Sequence, residues 1–255
     1  MKVSIKKPKG APLELKHRCF VMIGMMRSGS NLLERYLDRL PDVRCHGELF
    51  NPAFIGFSAT QPGGAIAGYA RTNVAERNAD EAAFLRQVDA ACDRPIFGLR
   101  LFLDHSPAMT SQLLYDPAVK KIVLSRHLLE SFVSLSIARD TNVWLTTREA
   151  SGPPEPIVVE PAKFINYALR QSLYYNDILS VLQQTGQAYE MVDYTELDDL
   201  DRLNRVVDFI GSGTRLKKLD DPIKKQNPGT LAQKISNYAK LQEELKRRQM
   251  MRWFA

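Results

Sequence analysis

The apolar residues of the chain fall into short unbroken runs separated by longer amphipathic stretches. A short apolar run closed by glycine, proline or polar residues is typical of a buried strand. Five such runs predict strands over residues 17–24, 43–50, 95–103, 121–125 and 189–192. The longest run, over residues 19–26, is far short of the ~20 residues that a membrane-spanning helix needs.

The stretches between these runs have the period of helices. Apolar residues recur three and four positions apart after the first run, and this helix is expected to end at Pro41. Pro161 suits the first position of a helix that would end at Gly186. Further helices are predicted over residues 79–92, 128–139, 200–210 and 231–248. Two stretches rich in glycine and proline, 51–78 and 145–161, are expected to be long loops.

Strands that alternate with helices predict an α/β fold. We expect a P-loop-like, three-layer arrangement in which helices cover both faces of a mainly parallel central sheet. Residues 1–16 are predicted to be a flexible basic arm, and residues 17–255 a single domain. Ligands bind beyond the carboxyl ends of the strands in such sheets. The loops after Gly24, Ser125 and Val192 are therefore expected to share one rim.

Composition narrows the class of protein. Of the 255 residues, 44% are hydrophobic and 25% charged, which is an ordinary globular balance. The start of the chain lacks the apolar segment of a secretory signal. Three widely spaced cysteines form no disulfide framework, which favours reduced thiols and a cytoplasmic location. The four histidines show no ligand spacing, so no metal site is expected.

The net charge of +6 comes largely from lysine and arginine in the last forty residues. Such an excess suits an anionic ligand, an acidic membrane surface or nucleic acid, and it chooses none of them. The chain ends in M-M-R-W-F-A beside this basic segment. This apolar end could pack on the core, meet a second subunit in a homodimer, or make a peripheral membrane contact.

Residues 24–31, G-M-M-R-S-G-S-N, have the layout of a phosphate-binding loop before a helix. Backbone N–H groups at a helix start favour an anion, and Arg27 adds a planar positive fork. Ser30 stands where a nucleoside triphosphatase has lysine, which counts against a metal-dependent kinase. A sulfuryl group carries a single negative charge in its donor, and its transfer would need only Arg27 and the backbone donors. The alternative is a strand–turn–helix joint with a surface arginine.

Three stretches together resemble the PAPS-dependent sulfotransferases. They read R-S-G-S-N-L-L, H-G-E-L-F-N-P and I-V-L-S-R-H-L-L-E-S-F-V-S-L, and the resemblance spans roughly residues 18–245. It is strongest to the bacterial carbohydrate branch, which includes trehalose, nodulation-factor and lipopolysaccharide sulfotransferases. The resemblance implies 3′-phosphoadenosine 5′-phosphosulfate as donor, 3′,5′-adenosine bisphosphate as product, and no metal.

The resemblance also implies residue roles at the donor. Arg27 would stabilise the bridging oxygen as the S–O bond breaks. The 5′-phosphate would be ringed by Ser28, Gly29, Ser30 and Asn31. The 3′-phosphate would be bound by Arg126 and Ser134, whose alternatives are an exposed arginine and a small residue in helix packing.

Two further donor contacts follow from the same resemblance. Tyr194 would touch the adenine, although a core tyrosine at a strand end is almost as well supported. Lys224 or Lys225 would close over the donor, with a solvated charge run as the competing interpretation.

The acceptor hydroxyl needs a base within hydrogen-bond reach. The resemblance places Glu48 there, and a salt bridge at a loop mouth is its structural alternative. His46 is the reserve candidate, because histidine is the base in the cytosolic small-molecule branch of the family that the motifs resemble. It would also share a face with Glu48 if the strand were regular. A sugar or lipid-linked sugar is the expected acceptor, and a small alcohol stays open. The aromatic residues that could stack on a sugar ring, or belong to the core, are Phe54, Phe57, Tyr69 and Trp144.

Two rival functions remain. One is a metal-dependent P-loop kinase. The other is a non-enzymatic module that binds RNA or another acidic polymer through the basic tail. Base stacking needs aromatic residues between the basic ones, and the tail offers only Tyr238, Trp253 and Phe254. No specific nucleic-acid partner is therefore expected.

Overall fold

A five-stranded parallel sheet forms the centre of the molecule, as expected. The computed structural model describes residues 5–8, 12–57, 65–144, 153–220 and 227–253. The strands of the sheet are β1 (Arg18–Gly24), β2 (Val43–Cys45), β5 (Ile96–Phe102), β6 (Lys120–Ser125) and β7 (Tyr189–Asp193). Their order is β2-β5-β1-β6-β7, and every neighbouring pair is parallel. A small antiparallel hairpin lies apart from this sheet and consists of β3 (Ala65–Ile66) and β4 (Tyr69–Ala70).

Helices connect the strands and cover both faces of the sheet. The bounds of the helices are α1 Ser30–Leu37, α2 Val74–Ala79, α3 Glu81–Ala90, α4 Pro107–Tyr115, α5 Leu128–Thr141, α6 Pro161–Gln184, α7 Leu200–Ile210, α8 Leu231–Lys234 and α9 Tyr238–Arg247. The predicted three-layer α/β fold is therefore confirmed. The sequence prediction omitted α4, although Ser106 caps it through Met109 and Pro107 stands at its start.

Alternation along β1 divides the core into two layers. Val21 and Ile23 face a cluster that includes residues of α3, α4 and α6. Phe20 and Met22 face the opposite cluster, which α1 and α7 complete. Side chains alternate because successive residues of a strand point to opposite faces. The same alternation places helix α1 on the face of β5 that carries Ile96.

The two chain ends pack against the domain. Trp253 is buried in a cluster with α5, α6 and α9, so this part of the apolar end packs on the core. Leu13 is 2% exposed, and the Ser111 hydroxyl donates to the carbonyl of Lys6. Residues 5–8 and 12–16, which are part of the predicted flexible arm, include these contacts with the domain.

Three predicted elements differ in extent. The strand expected over 43–50 ends at Cys45. The helix expected over 231–248 is divided into α8 and α9, because Ile235 leaves the helix to pair with Ile157. The stretch 51–78, predicted to be loop, contains the β3–β4 hairpin and most of α2.

No helix in the described part of the chain combines the length and the apolar content needed to cross a membrane. The thiols of Cys19, Cys45 and Cys92 are all free.

Candidate active site

Three loops meet at the carboxyl ends of β1, β6 and β7. Arg126, just after β6, donates from Nη1 to the carbonyl oxygen of Arg27, at 2.8 Å. Its guanidinium carbon also lies 3.8 Å from the ring centroid of Tyr194, just after β7. The shared rim expected from the sequence is therefore confirmed, because β1 and β7 both pair with β6.

The loop after β1 turns sharply into helix α1. Gly29 has φ +88° as the N-cap residue, a conformation that glycine adopts without steric cost. A Cβ atom at Gly29 would lie 2.3 Å from Leu197 Cδ1 and 2.9 Å from Tyr194 Cδ2. Glycine is therefore required both by the turn and by the close approach of the segment after β7. Arg27 also has positive φ, +68°.

Helix α1 presents unsatisfied donors to this loop. It begins at Ser30, and no side chain caps its first turn. The first N–H groups of a helix have no intrahelical partner and favour an anion. Ser28 is fully buried beside them, and its Oγ has no hydrogen-bond partner among the described residues. A buried hydroxyl without a partner is costly, so these groups fit a bound phosphate.

The side chain of Arg27 contacts helix α5 and the segment that follows it. Its Nε donates to Ser134 Oγ at 3.0 Å, and its Nη1 donates to the Trp144 carbonyl oxygen at 2.7 Å. Burial, and then the positive charge of Arg126, lowers the pKa of Arg27. Two guanidinium groups thus share one partly buried region, which suits a multiply charged anion.

The resemblance of the motifs assigns Ser134 and Arg126 to one phosphate. Both contact Arg27, through Ser134 Oγ and through Arg126 Nη1. Asn227 also reaches Ser134 Oγ, at 3.4 Å, and the sequence did not indicate this residue. Arg126 is further held by Glu130, one helical turn along α5, at 3.2 Å.

Asn31 follows Ser30 in the first turn of α1 and is half-buried. Lys224 and Lys225, predicted to close over the donor, lie outside the described residues.

A second cluster of polar side chains surrounds Glu48, after β2. Asn51 donates to Glu48 Oε2 at 2.8 Å, and His105 Nε2 lies 3.5 Å from the same oxygen. Arg100 Nη1 lies 3.3 Å from Glu48 Oε1. Burial alone would raise the pKa of Glu48. The His105 hydrogen bond, the Arg100 charge and the Asn51 hydrogen bond lower this pKa to about 2.

His46 does not join Glu48. The expectation that they share a strand face is wrong, because β2 ends at Cys45 and Gly47 between them has φ +71°. His46 packs on Phe97, with ring centroids 5.8 Å apart, whereas Glu48 contacts Arg100. Phe97 and Arg100 point to opposite faces of β5, because they are three residues apart. Burial, and then the charge of Arg44, lowers the pKa of His46 to about 4.

Sequence reasoning missed three partners of Glu48. Asn51 and His105 lie in loops, and only tertiary contacts bring them to the carboxylate. Arg100 carried a usable signal, since it is one charge inside the apolar run I-F-G-L-R-L-F. A charged residue is almost never fully buried without a partner.

The aromatic residues proposed to stack on sugar differ in their surroundings. Phe54 and Phe57 flank the guanidinium of Arg71, at 5.0 and 5.3 Å from the ring centroids. Tyr69 packs edge-on against the core residue Phe84, at 4.9 Å. Trp144 is 42% exposed.

Comparison with known proteins agrees with these features. The profile described as "Sulfotransferase family" matches residues 20–139, which include the loop after β1, Glu48 and Arg126. A curated relative, nodulation protein H from Rhizobium meliloti (strain 1021), is 24% identical over 236 residues. This alignment covers 87% of this chain and 89% of that protein.

Solved structures with a similar fold include a sulfotransferase from Alicyclobacillus acidocaldarius. It has a TM-score of 0.49 and 18% identity, and the match covers 96% of this chain and 93% of that one. Another is a mouse sulfotransferase, SULT7A1, complexed with PAP. It has a TM-score of 0.43 and 14% identity, and the match covers 79% of this chain and 61% of that one.

The profile match spans the loop after β1 and Arg126, and the curated relative extends over most of the chain. They confirm the resemblance noted from the motifs, and they support a sulfotransferase enzyme.

Proposed function

We propose that the protein transfers a sulfuryl group from 3′-phosphoadenosine 5′-phosphosulfate to a hydroxyl of a carbohydrate or glycolipid-like acceptor. The transfer is in-line and independent of metal. The observation that carries this proposal is the position of Arg126, which contacts both the phosphate-type loop, at Arg27, and the ring of Tyr194. One residue thus joins the elements expected at the 5′-phosphate, the 3′-phosphate and the adenine.

The donor residues fall into two groups. The 5′-phosphate is bound by the start of α1, through the N–H groups and side chains of Ser28, Gly29, Ser30 and Asn31. The 3′-phosphate is bound by Arg126 and Ser134, and Tyr194 lies against the adenine. Lys224 or Lys225 adds charge over the donor. The unpartnered hydroxyl of Ser28 and the paired guanidinium groups support this division.

The donor supplies a sulfuryl group that is already activated by its bond to a phosphate. Glu48 takes the proton of the acceptor hydroxyl as the new O–S bond forms. Arg27 and the N–H groups of α1 stabilise the electron pair that the broken S–O bond leaves on the phosphate. Such fixed donors act without reorganisation and contribute most of the rate in comparable transfers. This transfer needs no oxidant, reductant or metal.

Glu48 is the better-supported base. Its low pKa keeps the carboxylate ionised at neutral pH but makes it a weak base, so the assignment rests on position and reach. His46 is 3% exposed and packs behind β5, which counts against direct contact with an acceptor.

A sugar or lipid-linked sugar is the acceptor class that we favour. The resemblance of the motifs to the carbohydrate branch supports it. The half-buried rings of Phe54 and Phe57, which flank the exposed side chain of Arg71, also support it. Gly56, which precedes Phe57, donates its backbone N–H to the Glu48 carbonyl oxygen at 3.0 Å.

Three free thiols support a reducing, cytoplasmic setting.

A thermal-shift titration tests the donor assignment. We expect 3′,5′-adenosine bisphosphate to raise Tm in a concentration-dependent way, and ATP with Mg²⁺ to leave Tm nearly unchanged. Transfer from labelled donor to a panel of sugars and glycolipids then identifies the acceptor. Stabilisation by ATP–Mg²⁺ alone would favour the kinase. RNA binding that falls steeply with salt, with no response to the bisphosphate, would favour the nucleic-acid module.

A further inference from the structure

We propose that Arg100 is the positioning residue for Glu48, and that Glu34 of helix α1 fixes Arg100 in that role. The inference rests on the proposed function, because it takes Glu48 as the base. It adds a coupling between the helix that binds the donor and the carboxylate that meets the acceptor.

Arg100 holds the segment after β2 in two ways. Its guanidinium Nη1 lies 3.3 Å from Glu48 Oε1. Its backbone N–H donates to the carbonyl oxygen of Gly47 at 2.8 Å. The turn that carries Glu48 is therefore attached to the middle of a central strand through both main chain and side chain.

Glu34 occupies another edge of the same guanidinium. Glu34 Oε2 lies 2.6 Å from Arg100 Nε, and both side chains are at most 10% exposed. The planar guanidinium cannot turn away from Glu48 without breaking this buried contact. Separating the two partners of a buried ion pair is strongly destabilising. Arg100 therefore keeps the orientation in which it contacts Glu34.

The charged and titratable groups around Glu48 are few among the described residues. Arg100 comes from β5, His105 from the loop after β5, and Glu34 from α1. Burial raises the pKa of Glu34, and the charge of Asp38, the residue after α1, adds to this. Among the described residues, Arg100 is a permanent cation that contacts both Glu34 and Glu48. It therefore holds Glu48 in place and, together with His105, keeps it ionised.

This arrangement links the two halves of the reaction. Helix α1 begins at the donor loop and carries Glu34 in its second turn. A displacement of α1 would therefore move Arg100 and Glu48 with it. In-line transfer depends on such alignment, since a misplacement of ~1 Å can cost ~10²-fold in rate.

The test is the pH dependence of kcat/KM in paired variants. Arg100→Leu alone leaves Glu34 buried without its cation, so the main variant is the double Glu34→Leu/Arg100→Leu. Without Arg100, the pKa of Glu48 rises, while His105 and Asn51 still lower it. We expect the acidic limb to move to higher pH and kcat to fall ~10–100-fold, with donor KM unchanged. The wild type should show no such limb above about pH 4, given the low pKa of Glu48.

Two further variants keep the outcome decisive. Arg100→Lys retains the positive charge but cannot contact Glu34 and Glu48 from two edges of one planar group. We expect the acidic limb to stay at low pH and kcat to be reduced. This variant also tests the inference if the double variant does not fold. Arg44→Leu is the matched control, because Arg44 is a buried strand arginine that pairs with Asp93 and Asp38.

Each result has one meaning. A wild-type protein that transfers no sulfuryl group would refute the proposed function itself. If the wild type is active, unchanged kcat and an unchanged limb in the folded double variant would overturn the inference. If the double variant does not fold, wild-type kcat in Arg100→Lys would do so. An equal shift of the limb in Arg44→Leu would also overturn it.

Discussion

The guanidinium of Arg126 stacks on the ring of Tyr194, with 3.8 Å from its carbon to the ring centroid. Tyr194 thereby fixes the direction of a side chain whose Nη1 also donates to Arg27. The loops after β1, β6 and β7 depend on each other at this point. The effect of changing one of them should therefore appear in ligands bound by another.

Replacing Tyr194 tests this dependence. In Tyr194→Leu, Arg126 loses its aromatic face, and we expect the affinity for 3′,5′-adenosine bisphosphate to fall about threefold to thirtyfold. This range corresponds to ~0.5–2 kcal/mol for a cation–π contact. Isothermal titration calorimetry measures it. Tyr194→Phe keeps the ring and should bind almost as the wild type does. Equal losses in both variants would show that the hydroxyl, not the ring, matters.

Arg126 itself should discriminate between nucleotides. Arg126→Ala removes the guanidinium assigned to the 3′-phosphate, so we expect binding of 3′,5′-adenosine bisphosphate to weaken far more than binding of 5′-AMP. Calorimetry with both ligands checks the difference. Equal weakening of the two ligands would contradict the assignment.

Arg27 should act on turnover more than on folding. Arg27→Ala removes the donor assigned to the leaving phosphate, and we expect kcat to fall ~10²–10³-fold. Its side chain contacts Ser134 and the Trp144 carbonyl oxygen at the rim of the sheet, so the Tm should stay near that of the wild type. Near-normal turnover of the folded variant would remove Arg27 from the mechanism.

Gly56 should control the position of Glu48. A Cβ at Gly56 would lie 2.9 Å from Glu48 Cβ and 3.0 Å from its carbonyl oxygen, so alanine must displace the Glu48 backbone. We expect Gly56→Ala to lower kcat at least tenfold while donor binding persists. Gly213→Ala is the control, because its Cβ would meet only Asp42 Oδ2, at 3.9 Å. Normal kcat in Gly56→Ala would show that the turn tolerates the shift.

Gly98 should matter for stability alone. A Cβ there would lie 2.1 Å from the tip of the Phe20 ring, inside the core. We expect Gly98→Ala to lower the free energy of unfolding by ~1–3 kcal/mol, measured by urea denaturation. Adding Phe20→Leu frees space and should recover part of the loss. A double variant less stable than the sum of both single changes would contradict direct steric conflict.

The rim of the sheet could be predicted because few rules determine it. The strand before Gly24 and the strand before Arg126 both read as buried runs, and parallel strands bring their carboxyl ends to one edge. Residues that follow such strands must then be neighbours. This reasoning predicts that Arg27, Arg126 and Tyr194 share one rim, and in the structure Arg126 contacts both of the others.

The surroundings of Glu48 could not be predicted in the same way. A single glycine with positive φ, Gly47, ends the alternation and turns Glu48 away from His46. Asn51 and His105 reach Glu48 through loops, whose paths follow no sequence period. The pairing of Arg100 with Glu34 depends on how α1 packs on β5, and no local sequence pattern specifies that tertiary contact.

The close packing of Leu197 and Tyr194 on Gly29 has a consequence for the order of assembly. During synthesis the donor loop emerges early, whereas β7, at the edge of the sheet, emerges late. A nascent chain therefore carries a loop that lacks one wall until β7 docks beside β6. If the loop binds the nucleotide as proposed, that capacity is acquired at this docking step, and a chain cut short before Tyr194 should be unable to retain the ligand.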